Sequence, residues 1–359
     1  MYARMLSESS ITFLKRLLDT PGPSGFESAP AKVWREEARA FAEVSNDVAG
    51  NSLAVVNPNG SPTIMLAGHI DEIGLIITYI DDEGYCYIAG IGGWDPQVLV
   101  GQRIRVMGVN GDVFGVIGKK PIHVIKPEDR KKASEMKDLW IDIGATSRAD
   151  AEKLVSVGDA GVIDSRTIDL PNGRIVSRSV DDRIGAFIVL EALRRYSEKP
   201  GAARVVAVAT TQEEIAHQGG GARVSATRIG PQMALVVDVT HATDYPTAEK
   251  KEQGDHKIGG GPVLTRGSII SPVVFTLMRD AATRLSIPYT VHAAGGESWT
   301  DADAIHVARE GIATGLVSIP NRYMHSPNEM VSLEDLDRAS TLIAETCRAV
   351  TPETDFTAR

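Results

Sequence analysis

Apolar residues follow two different periods along this chain, and their alternation predicts an α/β protein. Short, nearly continuous apolar runs are typical of strands that are buried on both faces, whereas longer amphipathic stretches predict helices. The predicted strands are residues 52–56, 63–67, 204–210, 234–239, 289–292 and 313–319. The predicted helices are residues 29–42, 182–196, 272–285, 301–309 and 333–350. This order favours a mixed, mostly parallel sheet covered by helices on both faces.

The middle of the chain has a different pattern. Between residues 75 and 164, short β-prone segments are separated by glycines, at residues 76–80, 85–88, 103–107, 113–117 and 139–143. Regularly spaced short strands predict a small β-barrel or a sandwich-like module. We therefore expect an inserted β-rich domain at residues 75–164, and a larger α/β domain formed by residues 1–74 and 165–359.

Charge and composition narrow the classes of partner. The formal net charge of -9 disfavours binding to phosphate backbones or anionic membranes, because both need a basic patch. Residues 1–20 predict an amphipathic helix rather than a signal peptide, and no apolar run reaches the ~18 residues of a membrane span. The two cysteines, Cys86 and Cys347, offer no disulfide framework. We predict a cytoplasmic protein without nucleic-acid or membrane partners.

Histidines and acids collect where predicted strands end. Glu213 and Glu214 follow the strand 204–210, and five further side chains lie beyond other strands or at a helix start: His69, Asp71, Asp181, Asp238 and His325. Taken alone, two adjacent acids after a strand are more often a solvated loop or the first turn of a helix. Together these residues indicate a hydrolase with two metal ions, because ligands gather at the carboxyl ends of strands in α/β sheets.

Five ordered motifs resemble those of the M42 family of metallo-aminopeptidases. They are GHIDEIG at residues 68–74, VDDRIG at 180–185, QEE at 212–214, VDVT at 237–240 and RYMHS at 322–326. The resemblance begins near residue 22 and covers nearly the whole chain. It implies a phosphorylase-like α/β catalytic domain, as in other hydrolases of this kind, interrupted by a smaller β-rich domain for assembly or substrate access.

The resemblance also implies roles for individual residues. Asp181 would bridge two divalent metal ions, His69 and Asp238 would complete one metal site, and Glu214 and His325 would complete the other. Zinc or cobalt would suit these ligands, and manganese would also fit. Glu213 would act as the general base, and Asp71 would orient His69. Asp182 is expected to cap a helix rather than to bind metal.

The implied reaction is hydrolysis of the N-terminal residue from peptide substrates. A metal-dependent deacylase, a glycoside hydrolase and a catalytically silent scaffold are the alternatives. The family resemblance further implies a homo-oligomer, with a dodecamer expected and a dimer as the alternative. Two departures from the family pattern leave the substrate preference open: Trp299 stands where relatives have glycine, and residues 215–221 lack the usual arginine.

Overall fold

The structure is a computed structural model that describes residues 5–216 and 219–357. The strands in chain order are β1 (Glu43–Asn46), β2 (Ser52–Val56), β3 (Thr63–His69), β4 (Gly74–Ile80), β5 (Cys86–Ile91), β6 (Arg103–Gly108), β7 (Gly111–Gly118), β8 (Trp140–Asp142), β9 (Ala160–Ile163), β10 (Ile168–Leu170), β11 (Arg174–Ser177), β12 (Arg204–Thr210), β13 (Met233–His241), β14 (Val263–Gly267), β15 (Thr290–Ala294), β16 (Ala313–Asn321) and β17 (Glu329–Ser332). The helices are α1 (Glu8–Asp19), α2 (Ser28–Ala38), α3 (Pro96–Leu99), α4 (Arg148–Ala151), α5 (Val180–Glu198), α6 (Gly220–Ile229), α7 (Lys250–Gln253), α8 (Pro272–Leu285), α9 (Asp301–Ile305) and α10 (Leu333–Ala349).

One mixed sheet organises the larger part of the molecule. Within the described residues its strand order is β1-β2-β12-β3-β13-β16-β14-β15. The pairs β12–β3, β3–β13, β13–β16 and β14–β15 are parallel, and the other neighbours are antiparallel. Almost every residue of β3 and β12 is buried, as expected for strands with helices on both faces. The predicted mixed sheet flanked by helices is therefore confirmed.

A closed barrel is formed by the strands between residues 74 and 163. Its order is β4-β5-β8-β7-β6-β9, and all neighbours are antiparallel. The barrel has its own hydrophobic core, in which Leu75, Ile104, Ile117 and Ile141 are almost fully buried. The predicted barrel-like module is confirmed, and it also contains β9, which the sequence pattern did not predict.

Three strands outside both units form a small antiparallel sheet. Its order is β10-β11-β17, and Glu329 of β17 pairs with Ser177 of β11. None of these strands was predicted, because each has only three or four residues. Strand β17 begins shortly after His325, which is one of the predicted site residues.

Several predicted helix ends were wrong. The N-terminal helix begins only at Glu8, where the hydroxyl of Ser7 accepts the N–H of Ser10 at 3.1 Å; residues 1–4 of the predicted helix lie outside the described part of the chain. Helix α2 ends at Ala38 and not at residue 42. Helix α9 ends at Ile305, because the chain turns before Arg309, which has a φ of +54°.

Candidate metal centre

Strand register brings the first residues of the site together. Strand β12 runs parallel to β3 with Thr210 opposite His69, so Glu213 and Glu214 continue past the same edge of the sheet as Asp71. Strand β13 flanks β3 on its other side, with Val236 opposite Ala67. Asp238 and His69 each lie two residues further on, so their side chains emerge side by side.

Asp71 joins the ligand candidate on β3 to the loop after β12. One of its oxygens lies 3.4 Å from Nδ1 of His69 and accepts the N–H of Glu213 at 3.2 Å. The other oxygen accepts the N–H of Glu214 at 3.2 Å and the hydroxyl of Ser24 at 2.6 Å. Because Asp71 is fully buried, this single carboxylate fixes both segments relative to each other.

Asp181 lies between the two histidines. Its Oδ1 is 3.2 Å from Nε2 of His69, and its Oδ2 is 3.4 Å from Nε2 of His325. Asp181 and Asp182 have non-helical backbone angles, so the regular part of α5 starts after them. The peptide bond between these two residues is cis. The two oxygens of one carboxylate therefore face two different imidazoles.

His325 is held by main-chain and carboxylate groups from outside the large sheet. Its Nδ1 lies 2.8 Å from the carbonyl oxygen of Gly93, in the loop after barrel strand β5. A hydrogen bond to that oxygen places the proton on Nδ1 and leaves Nε2, which is 3.3 Å from Oε1 of Glu214, free to bind a cation. The barrel thus contributes directly to this side of the site.

Glu329 connects the two backbone segments that carry Asp181 and His325. Its Oε1 accepts the N–H of His325 at 2.8 Å, and its Oε2 accepts the N–H of Asp181 at 3.0 Å. Glu329 is 2% exposed and was missed by the sequence analysis. The glutamate four residues after His325 was the available signal, but only the fold reveals that it also reaches Asp181.

Asp182 lies near the cluster but is occupied by backbone groups. One of its oxygens accepts the N–H of Gly185 at 3.0 Å, as a helix cap does, and the other accepts the N–H of His69 at 3.2 Å. Asp182 is nevertheless close enough to contact an ion, because the ligand atoms of His69, Asp182 and Asp238 lie within 4.8 Å of one another. We assign Asp182 to backbone support because both of its oxygens already accept hydrogen bonds.

Burial and repulsion between neighbouring carboxylates raise the pKa of three acids in the cluster. Burial raises the pKa of Glu213 to about 10, with Asp238 and Asp301 adding to the shift and His69 opposing it. Burial and the charge of Asp181 also raise the pKa of Asp238 and of Glu214. Such a group of buried acids is stabilised by bound cations.

The histidines are shifted in the opposite sense. Burial alone would lower the pKa of His325, but Asp181 and Glu214 raise it to about 11. Burial is likewise outweighed at His69, where Asp71 and Asp181 raise the pKa well above its ordinary value. A bound metal cation would displace the protons that these raised pKa values favour.

The donor set fits divalent metal ions. Within the described residues, His69, Asp181 and Glu214 form a second group whose ligand atoms lie within 4.8 Å of one another. Oε1 of Glu214 is buried and accepts no hydrogen bond, although it faces the cluster. Imidazole nitrogens and carboxylate oxygens are ligands that zinc, cobalt and manganese accept.

All seven predicted site residues meet at this edge of the sheet: His69, Asp71, Asp181, Glu213, Glu214, Asp238 and His325. The sequence analysis gave no role to Asp301, whose Oδ2 accepts the hydroxyl of Thr210 at 2.5 Å. Of the loop 215–221 that departs from the family pattern, His217 and Gln218 lie outside the described residues.

Comparison with known proteins places the chain in a family of aminopeptidases. The family model described as M42 glutamyl aminopeptidase matches residues 50–342, and the chain belongs to this family. A lysyl aminopeptidase of Pyrococcus furiosus is 32% identical over 351 residues, which cover 96% of this chain and 98% of the relative.

Solved structures show the same fold. The TET aminopeptidase of a marine sediment archaeon, Thaumarchaeota archaeon SCGC AB-539-E09, superposes with a TM-score of 0.91 at 36% identity, covering 96% of this chain and 97% of the other. The TET1 peptidase of Pyrococcus horikoshii, described as assembling into a tetrahedron or a large octahedral shell, gives a TM-score of 0.84 at 31% identity, covering 95% and 100%.

Among the described residues, no helix is both long and apolar enough to cross a lipid bilayer.

Proposed function

We propose that this chain is an aminopeptidase that depends on two divalent metal ions and removes N-terminal residues from peptides. The observation that carries the proposal is the position of Asp181, whose two oxygens face His69 and His325 separately. A carboxylate in this position could bind two cations at once, as bridging carboxylates do in hydrolases with two metal ions.

The ligands divide into two sets around that bridge. His69 and Asp238, from neighbouring parallel strands, would hold one ion together with Asp181. Glu214 and His325 would hold the other. Zinc and cobalt are our first expectations for the native metal, with manganese as a further possibility. Bound divalent ions would supply Lewis acidity, which polarises the scissile carbonyl and makes a nearby water more acidic.

Glu213 is the proposed general base. Its carboxylate lies 3.8 Å from Nε2 of His69 and lines the large cavity beside the cluster. This position would let the Glu213 carboxylate accept a proton from water and later give it to the leaving amine. Asp71 would orient Glu213 and His69, because it accepts the N–H of Glu213 and faces Nδ1 of His69.

The proposal is tested by removing the metal with a chelator and then assaying aminoacyl 4-nitroanilides with and without added zinc, cobalt or manganese. Metal-dependent release from substrates with a free amine, and none from N-acetylated versions, is the expected result. Hydrolysis of the acetyl group would instead indicate a deacylase. Release of sugar from an oligosaccharide would indicate a glycosidase, and a lack of all activities would indicate a silent scaffold.

Homo-oligomerisation is the second part of the proposal. A solved structure described as PhTET1-12s, a dodecamer, supports a dodecamer for this chain, with a dimer as the smaller alternative. We assign residues 75–164 to an inserted domain for assembly or substrate access, and residues 1–74 and 165–359 to the catalytic domain. Light scattering after gel filtration separates the two assembly states. The cytoplasmic location stays a prediction from the sequence, which fractionation of the source cells would test.

A further inference from the structure

Three exposed apolar side chains line one cavity beside Glu213 and Glu214. A cavity of about 790 Å³ opens next to Glu213 and Glu214. Its walls include Ile215, Trp299 and Val307, which are 45%, 81% and 65% exposed. Large apolar side chains that stay exposed around one concave site are typical of a binding surface for an apolar group.

Trp299 is held in place by the backbone that carries it. Its φ of +57° is rare for a residue with a side chain. Asp303 stabilises the turn, because its carboxylate accepts the N–H of Trp299 at 2.8 Å and both the N–H and the hydroxyl of Ser298 at 2.8 Å. The indole is therefore presented to the cavity by an ordered turn, although it is itself largely exposed.

The base of the same turn is tied to the catalytic sheet. Thr300 caps α9 by accepting the N–H of Ala302 at 3.1 Å. The next residue, Asp301, is 3% exposed and accepts the hydroxyl of Thr210 at the end of β12. Because Glu213 follows Thr210 by three residues, the contact between Asp301 and Thr210 joins the segment that carries Trp299 to the segment that carries Glu213.

The cavity's acids are mostly engaged already: Glu213 and Glu214 belong to the proposed metal centre, and Asp301 and Asp303 accept hydrogen bonds from Thr210 and from the turn of Trp299. The remaining charged residues carry both signs. Arg223 and Arg309 are exposed, and so is Glu297. Charges of opposite sign in contact with water attract ligands only weakly. Burial of apolar surface against Trp299, Ile215 and Val307 is the interaction that this cavity offers most strongly.

We infer that this cavity selects peptides whose N-terminal residue has a large apolar side chain, and that Trp299 is its main specificity-determining residue. The inference rests on the proposed function, since it names the substrate class of that same site. It separates this chain from relatives named for lysyl or glutamyl specificity.

The test measures kcat and KM for the 4-nitroanilides of Phe, Leu, Ala, Lys and Glu with the metal-loaded enzyme. The variants are Trp299→Gly, which tolerates the positive φ, and Trp299→Phe, which keeps an aromatic ring. Val291→Ala, at a 47% exposed position on strand β15 of the large sheet, is the matched control. Metal content is measured in every preparation.

The wild type is expected to prefer Phe and Leu. Trp299→Gly should lower kcat/KM for these two substrates by roughly 10- to 100-fold, mainly through KM, while the Ala substrate changes less than about threefold. Trp299→Phe should retain most of the preference, and Val291→Ala should match the wild type.

Three results would overturn the inference while the aminopeptidase proposal survived: a wild-type preference for Lys or Glu, an equal loss for all five substrates in Trp299→Gly, or an unchanged preference in that variant. Selection that appeared only for the second residue, with Ala-Phe and Ala-Ala dipeptides, would also overturn it. If the wild type released no nitroaniline from any substrate, the proposed function itself would fail.

Discussion

The two histidines of the site are supported in different ways. His69 ends a central strand, is 2% exposed and faces the carboxylate of the buried Asp71. His325 lies in a loop with a φ of +56°, its side chain is 33% exposed, and its ring contacts the carbonyl of Gly93 in the barrel. We call His69 with Asp238 the sheet half of the site, and His325 with Glu214 the loop half.

The difference shows how each half depends on the rest of the fold. The sheet half is positioned by strand register, which hydrogen bonds along β3, β12 and β13 define together. The loop half needs three separate parts of the chain to meet: the β5–α3 loop, the start of α5 and strand β17. We therefore expect the loop half to be the more easily disturbed of the two.

Glu213→Gln should give the largest effect on activity and leave both halves intact. The amide cannot accept the proton, so kcat should fall by roughly 100- to 10,000-fold. Metal content, measured by mass spectrometry, should stay equal to that of the wild type. Full activity in this variant would show that another group is the base, and a loss of metal would show that Glu213 is a ligand.

His325→Ala should separate the halves. It removes a ligand from the loop half only, so metal content should drop from two ions towards one per chain. His69→Ala should reduce binding at both positions, because His69 belongs to both groups of side chains whose ligand atoms lie within 4.8 Å of one another. Equal metal loss in the two variants would contradict the division into halves.

Glu329→Ala should weaken the loop half without removing a ligand. Two backbone N–H groups lose their acceptor, at a cost of about 1–3 kcal/mol for each one that stays buried and unpaired. We expect a lower melting temperature and weaker binding of one metal ion. Glu329→Gln, which keeps one acceptor oxygen, should recover part of both losses, whereas an identical defect in the two variants would refute the role of its two oxygens.

Metal binding should release protons and strengthen as the pH rises. The pKa of His325 is raised to about 11, and the pKa values of Glu214 and Asp238 are also raised, so the metal-free groups hold protons that the ions must displace. Calorimetric titration with zinc at pH 6 and pH 8, each in two buffers of different ionisation enthalpy, counts those protons. An affinity that did not change with pH would contradict this charge distribution.

Glycine substitutions in the barrel loop should give the smallest effects. A methyl group on Gly93 would lie 3.3 Å from Nδ1 of His325, which a small shift can relieve. A methyl group on Gly92 would lie 2.6 Å from Ile73 and 3.3 Å from Oε2 of Glu214, at a φ of +75°. Gly92→Ala should therefore weaken metal binding more than Gly93→Ala, and the reverse order would argue against a barrel contribution to the loop half.

The same division explains what could be predicted from the sequence. Strand β12 was predicted with its observed bounds, and His69 and Asp71 were found because an apolar run ends beside them. Glu329 and Gly93 could not be found in this way. Their importance lies in contacts with segments that are distant in the chain, and neither apolar period nor a local motif records such contacts.

The carbonyl that faces His325 belongs to the main chain, whereas the carboxylate that faces His69 belongs to a side chain. Mutation therefore affects the two supporting groups differently. Every amino acid at position 93 would keep that oxygen, so no point mutation deletes the acceptor itself, and only residue size is restricted. The support of His69 depends on the side chain of Asp71, which a single nucleotide change can remove. We therefore expect functional variants to tolerate fewer different amino acids at position 71 than at position 93.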